Sequence, residues 1–286
     1  MSANTKIEWC HHTFNPWIGC AHVSPGCENC YAEVNTFARR QRAGGIELWG
    51  PKSERHVTSE ANWRQPFKWD RDAAAAGERR RVFCASLSDV FEDRADLIAP
   101  RSWLWRLIED TPNLDWLLLT KRPQNALGML PWGPNDGAWL RAPLPNVWLG
   151  TTVEDQRRAN ERIPHLLRTP AAVRFLSCEP LLGPVDLTHA RCSPPSEESI
   201  DWVIVGGESG HGARPFDLTW AQSIVEQCRG AGVAVFVKQL GARPEHPMAY
   251  DFKSDTLRLK LRDRKGGDMD EWPADLRVRE YPVVAL

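Results

Sequence analysis

Cys20, Cys27 and Cys30 are the residues of this chain best placed to do chemistry. They stand in the stretch Gly19-Cys20-Ala21-His22-Val23-Ser24-Pro25-Gly26-Cys27-Glu28-Asn29-Cys30-Tyr31, with the spacing C-x6-C-x2-C. A short loop carrying Pro and Gly can fold three thiolates toward one point. Iron–sulfur clusters are held by Cys thiolates at short spacings of this kind. Zinc sites use a similar C-x2-C half but complete a tetrahedron with a fourth protein ligand. Three cysteines without an obvious fourth point to an iron–sulfur cluster with one open iron, where a cofactor or substrate can bind. Zinc remains the alternative, because Cys10, His11, His12 and His22 are close enough in sequence to supply a fourth ligand.

A second set of polar residues ends the apolar runs of the chain. These ends read Ser86-Leu87-Ser88-Asp89, Thr120-Lys121-Arg122, Thr151-Thr152-Val153-Glu154, Ser177-Cys178-Glu179, Gly207-Glu208-Ser209 and Lys238-Gln239. The runs themselves are short, continuous and β-rich: Phe14–Ile18, Val82–Ser86, Trp116–Thr120, Val147–Thr151, Val173–Ser177, Trp202–Val205 and Ala234–Lys238. Helical patterns fall between several of them, at Tyr31–Arg40, Pro100–Asp110, Glu154–Arg168 (kinked at Pro164) and Leu218–Arg229, the last capped by Asp217 and ended by Gly230. Apolar strands alternating with helices predict an α/β fold with a parallel, helix-covered sheet. Seven strands over this length suit a partial or complete (β/α) barrel, with a doubly wound open sheet as the alternative. In a barrel the carboxyl ends of the strands share one face. Ser86, Asp89, Lys121, Thr151, Glu154, Glu179, Glu208 and Lys238 are therefore expected to face one cleft. Glu179, Glu208 and Lys238 are the candidate catalytic residues, since carboxylates at apolar strand ends are costly to bury without a partner. The competing expectation is that each carboxylate forms a structural ion pair with Lys121, Arg122 or Lys238.

The 286 residues suffice for one large domain, and the net charge of −1 gives no global basic excess. No stretch approaches the roughly 18 apolar residues of a membrane span. Met1–Lys6 is followed by no apolar run of the kind a signal peptide carries, so a cytoplasmic, reducing location is expected. There the eight cysteines serve metal binding or packing rather than a disulfide framework. Cys84, Cys178 and Cys228 lie in apolar runs and read as packing, while Cys192 stands apart in the low-regularity loop Thr188–Ser199. Between the first two strands lies an insertion, Asn35–Arg81. Its residues 39–81 hold 11 Lys/Arg against 6 Asp/Glu, together with Trp49, Trp63, Trp69 and the run Arg79-Arg80-Arg81. Basic side chains among aromatics can neutralise phosphates and stack bases, so a nucleic acid or nucleotide is an expected partner, with a solvated loop as the alternative. The segment from about Arg243 is charged.

Several stretches resemble an uncharacterised phage and bacterial family of radical S-adenosylmethionine (SAM)-like proteins. They are Thr13-Phe14-Asn15-Pro16-Trp17, Val23–Glu33, Leu119-Thr120-Lys121-Arg122-Pro123, Val147-Trp148-Leu149-Gly150, Val153-Glu154, Arg174–Ser177, Glu179–Leu182 and Val203–Gly210. The resemblance implies a radical SAM-type partial barrel with Cys20, Cys27 and Cys30 holding a [4Fe–4S] cluster whose open iron binds SAM. One electron then cleaves SAM to a 5′-deoxyadenosyl radical that takes a hydrogen atom from the substrate. It further implies cofactor contacts from Tyr31, directly after the third cysteine, from Ser86 or Asp89 after the second strand, and from Thr151, Thr152 and Glu154 after the fourth. An electron donor such as a flavodoxin or ferredoxin, and a protein partner encoded nearby, are also implied. Two departures stand out. The first cysteine gap is six residues where the wider radical SAM group has three, and Gly206-Gly207-Glu208 follows the sixth strand where that group carries such a run after the second. The alternative reading is a zinc or structural iron–sulfur protein that contacts nucleic acid without radical chemistry.

Overall fold

A computed structural model describes residues 5–131, 143–188, 199–246 and 257–283. Cys192 and most of the loop Thr188–Ser199 lie outside the described residues. The chain divides into two compact units, Met1–Gly150 with Arg168–Ala172, and Thr151–Leu167 with Val173–Leu286.

The first unit runs β1 (His12–Phe14), β2 (Trp17–Ile18), α1 (Thr36–Ala43), β3 (His56–Val57), α2 (Glu60–Trp63), α3 (Gln65–Ala76), β4 (Arg80–Cys84), α4 (Ile98–Glu109), β5 (Leu114–Thr120), α5 (Pro123–Met129) and the opening of β6 (Val147–Thr152). β1 pairs in parallel with β4, and β4 with β5. The expected strand Phe14–Ile18 is broken in two. Pro16 has no N–H to give a ladder, and the Asn15 side chain accepts a hydrogen bond from Leu87 N instead (2.7 Å). β2 then leaves the main sheet and pairs antiparallel with β3. The helix expected from Tyr31 begins at Thr36, because Asn35 caps it by accepting from Ala38 N (3.0 Å). Phe14, Trp17, Leu104, Trp116 and Leu118 are buried in the core, with Phe14 edge-on to Trp116.

The insertion is not a solvated loop. It folds into α1, β3, α2 and α3, and Trp49 and Trp69 are buried. Trp69 stacks flat on His12 (ring centroids 4.4 Å, 8° between planes), and Trp63 meets Phe14 edge-on. These aromatic faces are used internally, so stacked bases are not what positions them.

The second unit holds the end of β6, then α6 (Gln156–Leu167), β7 (Val173–Cys178), β8 (Trp202–Gly206), β9 (Phe216–Asp217), α7 (Leu218–Ala231), β10 (Ala234–Gln239), β11 (Pro244–His246) and β12 (Leu257–Arg258). β7 and β8 pair in parallel, as do β8 and β10. Asp217 caps α7 as expected, accepting from Thr219 N at 2.8 Å. The helix runs past Gly230 and ends at Gly232, whose φ of 69° closes it in the left-handed region. The charged C-terminal segment supplies β11 and β12, which with β9 form a small sheet, and it buries Trp272.

The main sheet has the hydrogen-bonded order β1-β4-β5-β6-β7-β8-β10; six of its strands arise from the expected runs, and β1 shares only Phe14 with the run Phe14–Ile18. Chain order is kept throughout, whereas a doubly wound sheet reverses it. This α/β topology is compatible with a partial (β/α) barrel.

Candidate functional site around the three-cysteine loop

The cysteine loop is built onto the carboxyl ends of β4 and β5. Gly19 starts it with φ of 114°, and a Cβ there would lie 2.5 Å from Leu48 O, so only glycine fits before Cys20. Gly19 N donates to Leu87 O (3.0 Å), just beyond β4. A 3-10 turn at Pro25–Cys27 then carries Cys27 toward Cys30, whose N–H bonds Cys27 O (3.3 Å). Cys20 and Cys30 pack against the same apolar cluster of Ile18, Ala32, Ala38, Leu48 and Trp49.

Tyr31 and Ser86 come together as a pair. The Tyr31 hydroxyl donates to Ser86 O (2.8 Å), and Asn15 Nδ2 donates to Ser86 Oγ (3.0 Å). Ala85, between β4 and Ser86, has φ of 65°. A left-handed alanine costs of order 1–3 kcal/mol and persists only where its surroundings fix it, often at functional sites. Here it turns the chain out of β4 and into the loop that meets Tyr31.

Asp89, the other residue expected after this strand, sits in a closed hydrogen-bond hub. Its carboxylate accepts from Phe91 N (3.0 Å), Thr120 Oγ1 (2.7 Å), Lys121 N (3.1 Å) and Arg122 Nη1 (2.9 Å). Arg122 was not among the expected site residues, yet it is the side chain that reaches a cysteine. Its Nη1 donates to Cys20 Sγ (3.6 Å) and its Nη2 to Ala21 O (2.8 Å). The motif Thr120-Lys121-Arg122 placed it at a strand end, and no local pattern pairs it with a cysteine about a hundred residues earlier.

Burial pushes the Cys20 thiol up to about 12, with Asp89 adding to the rise and Arg122 opposing it. Burial also raises Cys30, against the charge of Lys121 and the backbone N–H groups of Ala32 and Glu33. Cys20, Cys27 and Cys30 are free thiols. Among the described residues no three His, Cys, Asp or Glu side chains are grouped closely enough to hold a metal ion. The donor chemistry nevertheless fits an iron–sulfur group. A guanidinium at one sulfur, and an ammonium charge with N–H groups at another, are what bound thiolates need when buried. The residues considered as a fourth zinc ligand have other partners. His22 bonds Glu33 (2.8 Å), His11 Nδ1 accepts from Arg81 N (2.8 Å), His12 stacks on Trp69, and Cys10 is buried with its sulfur toward Ile7 O (3.9 Å).

In the second unit the expected residues form ion pairs. Lys238 Nζ donates to Glu179 Oε1 (2.5 Å). Glu208 accepts from Arg214 at its backbone N (2.9 Å), Nε (3.1 Å) and Nη2 (2.7 Å). Thr151, Thr152 and Glu154 are buried, and Glu154 Oε2 accepts from Arg162 Nη1 (2.5 Å). The ion-pair expectation therefore describes Glu179 with its anticipated partner, while Glu208 and Glu154 take arginines that the strand-end pattern did not offer. In the basic insertion, Arg79 bonds Asp115 and Pro112 O, Arg80 bonds Glu78, and Arg81 reaches Trp9 O. That run closes the base of β4 and is not a free phosphate-binding strip.

Fold and site together define an α/β protein with a three-cysteine loop on its strand ends. The chain belongs to the family described as protein of unknown function DUF5131, which it matches over residues 4–272. No curated protein and no solved structure matches it. Among the described residues no helix is long and apolar enough to cross a membrane.

Proposed function

We propose that this chain is a radical SAM-type enzyme in which Cys20, Cys27 and Cys30 hold a [4Fe–4S] cluster that generates a 5′-deoxyadenosyl radical from SAM. One observation carries the reading: the cysteine loop is fastened to the carboxyl ends of parallel strands, through Gly19 N to Leu87 O, Tyr31 to Ser86 O, and Arg122 to Cys20. That end of a (β/α) barrel is where its chemistry resides. When bound, the cluster supplies the electron that cleaves the sulfonium. The chain's own residues do the rest. Arg122, with the N–H groups beyond Cys30, stabilises thiolate, and the apolar cluster beneath Cys20 and Cys30 excludes water. Tyr31 is half exposed beside the loop with its hydroxyl fixed by Ser86, and we assign its ring the contact to a planar ligand group.

A nucleotide or nucleic acid remains the proposed substrate class. What supports it is the exposed basic set Arg39, Arg40, Lys52, Lys68 and Arg71 of the insertion, rather than the paired run at Arg79. A flavodoxin- or ferredoxin-type electron donor and a protein partner belong to the same proposal. The test is anaerobic reconstitution with iron and sulfide, followed by SAM and a strong reductant. Brown protein with about four irons, absorbance near 400 nm and release of 5′-deoxyadenosine are expected. Each of Cys20→Ala, Cys27→Ala and Cys30→Ala abolishes the absorbance, and Cys10→Ala retains it. A colourless protein holding one zinc refutes the reading. Substrate class is read separately, as binding to oligonucleotides that falls steeply between about 50 and 200 mM salt.

A further inference from the structure

We propose that Arg122 is the positioning and charge-compensating residue of the first cluster ligand, Cys20; this rests on the cluster reading above. The geometry is a closed ring of interactions. Arg122 grips residues 20 and 21 at two points, the Cys20 sulfur (3.6 Å) and the Ala21 carbonyl (2.8 Å). The same two nitrogens are held by carboxylates, Nη1 by Asp89 at 2.9 Å and Nη2 by Glu92 at 3.8 Å. Glu92 is clamped by both arms of Arg55 (2.8 and 2.7 Å), a side chain with no solvent exposure. Arg55 Nη2 donates to Gly50 O (3.0 Å), and Gly50 N donates back to Cys20 O (2.9 Å). One charge network therefore fixes both the sulfur and the backbone of Cys20.

The other two cysteines are placed differently, by the short turn at Pro25–Cys27. A six-residue gap has more freedom than a three-residue one, and closing it costs chain entropy. Here the first ligand is pinned to the ends of β4 and β5 in advance. Charge follows the same geometry. Two carboxylates and two arginines balance within the network, so an anionic thiolate and cluster add negative charge directly against Arg122. A buried cation at a ligand sulfur favours the reduced, more negative cluster and raises its reduction potential. Arg122→Met is therefore expected to move the potential in the negative direction. Lysine lacks the planar fork that spans sulfur and carbonyl, so Arg122→Lys moves it the same way by less.

The experiment is an anaerobic redox titration of the reconstituted protein, followed by electron paramagnetic resonance. Wild type, Arg122→Met, Arg122→Lys and, as a control, Arg79→Met are compared, with far-ultraviolet circular dichroism confirming the fold of each. Failure of the wild-type chain to take up a cluster overturns the cluster reading itself. With wild type loaded, the order wild type above Lys above Met, with the control unchanged, is the expected result. An Arg122→Met potential equal to wild type overturns the proposal. Should the Met variant not load, the Lys variant is decisive, a lowered potential supporting the proposal and an unchanged one overturning it. Loss of the cluster from both folded variants, with the control loaded, is the positioning effect in full.

Discussion

Lys238 Nζ lies 2.5 Å from Glu179 Oε1, and both side chains are about four-fifths buried. Gln239 Nε2 also approaches that oxygen, at 3.5 Å. The two groups are therefore each other's charge partner before any ligand is considered. Removing one leaves the other partly desolvated and unpaired, which costs more than removing both. In a double-mutant cycle of Glu179→Gln and Lys238→Met, the coupling energy is expected to be about 1–3 kcal/mol. Urea unfolding of the four proteins measures it. Additive effects would mean that each side chain acts alone.

Asp89 is the corresponding hub of the first unit. Its two oxygens accept four hydrogen bonds, two from backbone N–H groups of the following turns and one from the buried Arg122. Asp89→Asn turns one acceptor into a donor and leaves Arg122 without its nearest charge. Breaking a buried pair in this way costs about 3–5 kcal/mol, read as a fall in the unfolding midpoint of the metal-free chain. A loss below about 1 kcal/mol, the range of exposed pairs, would show that solvent reaches the hub.

The strands were legible because each is a short apolar run, and six of the seven runs form strands of the main sheet, while the first gives it only Phe14. Boundaries failed where one side chain outweighed the pattern: Pro16 split the first run, and Asn35 delayed α1 until Thr36. Within the site, the cysteine loop and Tyr31 were visible from local spacing. Arg122, Glu92 and Arg55 were not, since their pairing depends on tertiary approach across 30 to 100 residues of chain. Composition also misled. The insertion reads as basic and aromatic, but burial of Trp49 and Trp69 and pairing of Arg79 are invisible to counting.

His11 gives the chain a pH response away from the cysteine loop. Its Nδ1 accepts from Arg81 N (2.8 Å), and the His11 backbone N–H donates to Arg81 O (2.9 Å), tying the start of β1 to β4. Partial desolvation of this surface residue, then the charge of Arg81, holds the imidazole below its ordinary 6.5. The unfolded chain takes up this proton first as pH falls. The stabilising contribution is thus complete above the unfolded value and is lost as pH drops through the folded one. In His11→Asn an amide oxygen can still accept from Arg81 N but does not titrate. Its urea midpoint is expected to fall less than that of the wild type between about pH 7.5 and pH 5.5. Equal falls would assign the acid response to other groups.

The run Gly206-Gly207-Glu208 has a packing task at the end of β8. A Cβ on Gly207 would lie 2.5 Å from Leu240 O and 2.9 Å from both Leu240 C and Phe216 Cγ. At Gly206 the nearest atoms would be 3.5 Å away, an ordinary contact. Gly207 N also donates to Gln239 O (3.1 Å), and Gln239 Nε2 donates back to Gly207 O (3.0 Å). The second glycine therefore allows the chain after β8 to touch the chain after β10, and so sets the direction in which Glu208 meets Arg214. Gly207→Ala is expected to cost about 1–3 kcal/mol by overpacking against a backbone that cannot turn aside. Gly206→Ala is expected to be near neutral. Urea unfolding ranks the two variants, and proteolysis of the 208–214 loop reports whether Glu208 has lost its hold on Arg214. If Gly206→Ala is the more damaging, the close approach at Gly207 is not what requires the glycine pair.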